Sequence, residues 1–104
     1  MPTDTTDTSF TADVLESDAP VVVEFHAAWC PPCRVMSPIL AELAEERPDV
    51  RFVKVDVDDN QEIAARYGVL AMPTLMVFHG GEPVLTLVGA RPKGRLASEL
   101  ATVI

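Results

Sequence analysis

The run VVVEFHAAWCPPC, Val21 to Cys33, constrains the fold more than any other stretch of the chain. Its first part is β-branched and apolar on both faces, which suits a strand buried inside a sheet. It then breaks at two cysteines flanking a pair of prolines, and a helical stripe follows: Val35, Met36, Ile39, Leu40, Leu43 and Ala44 recur at helical spacing between Pro31 and Arg47. Pro38 falls inside that stripe and is expected to kink the helix, and Pro48 ends it. A buried strand is thus handed directly to a helix, with both cysteines at the junction.

The neighbouring segments complete the pattern. Ser9 can cap a short helix from Phe10 to Ser17, which Pro20 terminates. Val50 to Val57 reads as a second strand, and Asn60 can cap a helix that Gly68 closes. Thr74 to His79 and Val84 to Val88 flank HGGEP and should form a hairpin. Pro92 opens a last helix with Leu96, Leu100, Val103 and Ile104 on one side. The order is βαβ followed by ββα, an α/β fold with a central mixed sheet of four to five strands and helices on both faces. Residues 1–8, MPTDTTDT, are polar and acidic and are expected to be a flexible lead-in, with residues 9–104 forming the domain.

At 104 residues the chain suits one domain, and 48% apolar residues mark it as globular. A net charge of -8 argues against nucleic acid and anionic membrane surfaces as partners. No apolar run approaches the ~20 residues of a membrane span. The start carries no basic stretch followed by an apolar one, so the expected location is cytoplasmic.

The two cysteines admit three explanations. A staple closing so short a loop restricts the unfolded chain very little. A zinc or iron–sulfur site needs four ligands, and only His26 and His79 accompany the cysteines besides carboxylates, so no metal is expected. Redox exchange fits the placement. A residue before proline is pushed to extended geometry, as an N-cap requires, and the first two helical positions need no N–H. Cys30 is therefore the expected N-cap, with Pro31 and Pro32 starting the helix and Cys33 third. Helical geometry then puts the two Cα atoms about 5 Å apart, inside the disulfide window. The helix dipole and the Cys33 N–H both favour a thiolate on Cys30, and Cys33 is placed to resolve a mixed disulfide.

FHAAWCPPCR, VKVDVD, YGVLAMPTLMVFHGGE and LVGA, in this order and spacing, resemble the thioredoxin family from about Phe10 to Ile104. The resemblance implies Cys30 as nucleophile and Cys33 as resolving thiol. It implies that Pro73 is a cis-proline facing the disulfide. Trp29, Ala71, Met72, Val88, Gly89 and Ala90 would then form a shallow docking surface beside it. Glu24 stands where the family has a buried aspartate that assists proton transfer; burial would raise its pKa into the range of a general base. Lys54 corresponds to a lysine near that acid and can equally be a surface residue. Pro31 replaces the usual glycine, and His26 replaces a common tryptophan. The family's first strand would fall in the polar MPTDTTDT segment, where it is expected to be absent or reduced to an edge pairing.

The implied function is protein-disulfide reduction through a reversible Cys30–Cys33 pair, by a monomer needing no cofactor. Disulfide-containing proteins would be its substrates, and a flavin-dependent, NADPH-driven thioredoxin reductase would recharge it. Two alternatives stay open on sequence: a disulfide oxidant or isomerase, and a non-catalytic binding subunit of a redox complex.

Overall fold

The computed structural model describes residues 2–104. Five strands form one sheet: β1 (Thr3–Asp4), β2 (Val21–His26), β3 (Arg51–Asp56), β4 (Thr74–His79) and β5 (Glu82–Val88), in the order β1-β3-β2-β4-β5. β1, β2 and β3 run parallel, β4 pairs antiparallel to β2, and β4 and β5 form an antiparallel hairpin. Gly80 and Gly81 make that hairpin turn, both with positive φ, as a two-residue turn matching the sheet's twist requires.

Helices α1 (Pro31–Glu46), α2 (Gln61–Arg66) and α3 (Lys93–Leu100) cover the two faces. Alternation along β2 assigns them. Val21, Val23 and Phe25 face a core with Ile63 of α2 and with Phe10 and Val14. Val22 faces the opposite core, with Met36 and Leu40 of α1 and Leu96 and Leu100 of α3. Glu24 shares the parity of Val22, so it lies beneath α1. α1 is a single helix through Pro38.

The N-terminal segment makes the edge pairing that the sequence left open as one of two outcomes. Thr3 and Asp4 pair parallel with Val53 and Lys54, and the Thr5 N–H donates to the Lys54 carbonyl at 2.9 Å. A strand ladder uses backbone groups, so exposed polar side chains do not prevent an edge pairing of this length. Thr5 is buried and donates its hydroxyl to Asp13 at 2.8 Å. The reading of Ser9 as N-cap also shifts: Thr6 Oγ1 accepts from the Ser9 N–H and Ser9 Oγ accepts from the Thr6 N–H, a reciprocal cap one turn earlier. The helix that follows is short and wide, with Glu16 N–H donating to the Thr11 carbonyl five residues back.

Asp7 reaches across the molecule. Its carboxylate accepts the N–H groups of Ile63 at 3.0 Å and Glu62 at 3.4 Å, at the start of α2. Asn60, the N-cap by position, makes no side-chain cap and instead accepts the Asp7 N–H while donating to the Asp56 carbonyl. Loss of this distant cap is expected to cost about 1 kcal/mol in Asp7→Ala, read as a lowered urea midpoint without a change in slope.

Candidate active site

The N-terminus of α1 organises the site. Cys30 is extended, with φ -100° and ψ 103°, and Pro31 and Pro32 occupy the first two helical positions. The cysteines are joined as a disulfide with Cα atoms 5.3 Å apart. The Cys33 N–H donates to Cys30 Sγ at 3.3 Å, so the amide that reaches the sulfur is the third of the helix. Pro31 therefore removes no donor from the site. Both cysteines are buried and pack with Ala27, Val57 and Met72.

The residues flanking the pair form two groups. Trp29 is 62% exposed, and its indole N–H donates to Asp58 at 2.9 Å, which fixes an apolar ring at the rim. On the other side the Met72–Pro73 bond is cis, Pro73 is buried and Ala71 is exposed. Thr74 donates its hydroxyl to the Ala71 carbonyl at 2.6 Å and closes this loop on itself. Gly89 N–H donates to the Pro73 carbonyl at 2.9 Å, so the end of β5 lies against the proline loop. Gly89 has φ +96°, a conformation that penalises any side chain. Val88 beside it is 59% exposed.

Behind the disulfide lies Glu24, only 5% exposed, with Oε2 lacking a protein partner. Burial raises its pKa from 4.5 to about 7, and Lys54, its neighbour across the β2–β3 ladder, pulls in the opposite direction. Glu24 and Cys33 share the wall of a cavity of about 200 Å³ that His26, Arg34, Ser37 and Lys54 also line. That volume exceeds the ≈ 30 Å³ share of one water molecule several times over. The His26 imidazole is held below its usual pKa, first by burial, against the pull of Asp56. Among the described residues, no group of three or more His, Cys, Asp or Glu side chains is placed to hold a metal ion. No helix among them is long and apolar enough to cross a membrane.

Sequence reading missed three positioning contacts. Asp58 holds Trp29 from 29 residues away, which no local pattern signals. Thr74 had a weak signal, as a hydroxyl next to a loop proline. Arg91 follows LVGA directly and stands close to Lys93 and Arg95, a pattern that signals a solvated surface, yet it is buried.

A disulfide across the first turn of a helix, with a buried carboxyl behind it, defines a thiol–disulfide exchange centre on an α/β sheet. The thioredoxin family model matches residues 2–102, and the chain belongs to the thioredoxin family. It is 50% identical over 96 residues to a thioredoxin of Pyropia yezoensis, covering 91% of this chain and 90% of that one. A Mycobacterium tuberculosis thioredoxin is 47% identical over 100 residues, covering 95% and 86% respectively. A Mycobacterium leprae protein described as bifunctional thioredoxin reductase/thioredoxin is 46% identical over 100 residues, 95% of this chain and 22% of that protein.

Proposed function

We propose that this protein is a cytoplasmic protein-disulfide reductase in which Cys30 attacks and Cys33 resolves. The observation that carries the assignment of roles is the hydrogen bond from the Cys33 N–H to Cys30 Sγ at the helix N-terminus. A donor and a positive dipole end both stabilise negative charge on Cys30, and the thiolate is the attacking species. In the reduced protein Cys30 attacks one sulfur of a substrate disulfide, forms a mixed disulfide and releases the other substrate sulfur as thiolate. Cys33 loses its proton and attacks Cys30 Sγ. The second substrate thiolate leaves, and the pair is oxidised by two electrons.

Glu24 is the group proposed to take the Cys33 proton, directly or through water in the cavity they share. A pKa of about 7 leaves the carboxyl half ionised near neutrality, able to accept and return a proton. Lys54 tunes this acid by pulling its pKa down against the effect of burial. Trp29, Ala71, Met72, Pro73, Val88, Gly89 and Ala90 would form the docking surface, where extended substrate backbone lies beside the disulfide. Pro31 and Pro32 stiffen the WCPPC turn.

Electrons would come from NADPH through a flavin-dependent thioredoxin reductase. The M. leprae relative, whose description joins reductase and thioredoxin in one chain, favours that partner. A reductant of this kind works where thiols are kept reduced, which supports the cytoplasmic assignment. The reduction potential at pH 7 separates this reading from an oxidant. A value more reducing than the glutathione couple, with sustained insulin reduction, is expected; a value among the disulfide oxidants would overturn it.

A further inference from the structure

We propose that Arg91 is a positioning residue that holds the Val88–Ala90 wall of the docking surface in its binding-competent shape. This rests on the docking surface proposed above and assigns what fixes one side of it.

The chain leaves β5 at Val88, turns at Gly89 and reaches α3 through Arg91 and Pro92. The Arg91 side chain is 7% exposed and folds back beneath that turn. Its Nη2 donates to the carbonyls of Val88 at 2.6 Å and Gly89 at 3.2 Å, and its Nε donates to Gly89 at 3.3 Å. Its Nη1 donates to both carboxylate oxygens of Glu99 on α3, at 2.9 and 2.8 Å. These contacts engage all three guanidinium nitrogens, the two to Glu99 sharing one Nη1 N–H. The Arg91 backbone N–H meets Met36 Sδ of α1 at 3.5 Å. The turn is thereby tied to α1, to α3 and, through the Gly89 N–H, to the Pro73 loop.

Glu99 neutralises a cation that would otherwise be too costly to bury, and the planar fork lets one side chain span two carbonyls and a carboxylate. A lysine has the charge without the fork. The consequence for docking is specific. With the carbonyls of Val88 and Gly89 held inward, the loop presents the Val88 side chain outward in one arrangement. Without the clamp, a substrate must order the loop as it binds. Loss of such ordering weakens ground state and transition state alike, so KM rises while kcat holds.

The test is steady-state insulin reduction, with dithiothreitol as the regenerating reductant, by the wild type, Arg91→Leu, the double variant Arg91→Leu/Glu99→Leu, and Val88→Asp. KM is expected to rise about tenfold in Arg91→Leu with kcat within about twofold. Replacing both charged partners by apolar groups should recover thermal stability, because Arg91→Leu alone leaves the partly buried Glu99 with only its looser ion pair to Arg95 at 3.5 Å. KM should nevertheless stay high in the double variant, since the two carbonyls still lack their donor. If KM recovers together with stability, Arg91 is only structural and the proposal is overturned. If Val88→Asp raises KM while neither Arg91 variant does, the clamp is wrong and the docking surface stands. If no variant moves KM, the docking surface fails and the clamp falls with it. Should Arg91→Leu fold poorly, the double variant alone decides between these results.

Discussion

Cys30→Ser is expected to lose protein-disulfide reduction by more than about a thousandfold, whereas it keeps the fold. Serine preserves the N-cap, because its oxygen can accept from the Cys33 N–H as the sulfur does. What it removes is the N-cap thiol, the group that the helix dipole and the Cys33 N–H favour as the attacking thiolate. Stability should change little for a second reason: the Cys30–Cys33 bridge closes a loop with a sequence separation of 3, too short to restrict the unfolded chain much. Insulin turnover and a urea titration on the same preparation separate the two effects. A large loss of stability with partial activity would mean that the pair is chiefly a staple.

Glu24→Gln should slow the resolving step by about a hundredfold, the usual worth of a general base. In the wild type the rate should climb as pH rises through about 7, where the carboxyl ionises. In the variant that rise should move to the titration of the thiols themselves. The same group makes a stability prediction of opposite sense. The folded carboxyl keeps its proton to about pH 7, whereas the unfolded one releases it near 4.5. The folded state therefore binds more protons across this window, and its stability falls as pH rises through it. Glutamine does not titrate. Between pH 4 and pH 9 the stability of Glu24→Gln should improve relative to the wild type by about 3 kcal/mol, and any fixed cost of burying the amide cancels in that difference. Denaturant midpoints of the oxidised proteins at the two pH values measure it. A pH-independent difference would place Glu24 in water rather than beneath α1.

Apolar periodicity made most of the fold legible, because strands buried on both faces and helices with one apolar stripe leave different patterns. β2, β3, β4, α1 and α2 fall where the sequence puts them, within a residue or two at their ends, whereas α3 stops at Leu100, short of Val103 and Ile104. The cysteine placement was legible for the same local reason: an extended residue before two prolines is an N-cap. The N-terminal strand was legible only as an edge pairing or none, since β1 pairs through its backbone and shows no apolar alternation. Contacts between polar side chains far apart in sequence were hidden. Asp7 capping α2, Asp58 holding Trp29 and Arg91 gripping the end of β5 each depend on tertiary placement alone. Glu24 lies between these cases. Its position inside an apolar strand announced burial, while the cavity it shares with Cys33 emerged only in three dimensions.

Peptide mapping of covalent adducts tests the division of labour between the cysteines most directly. Reduced Cys33→Ser incubated with oxidised insulin should accumulate a mixed disulfide on Cys30, released by dithiothreitol, because no thiol remains to resolve it. Cys30→Ser under the same conditions should accumulate little. Comparable adduct on Cys33 in Cys30→Ser, or none on Cys30 in Cys33→Ser while the wild type turns over, would contradict the assignment.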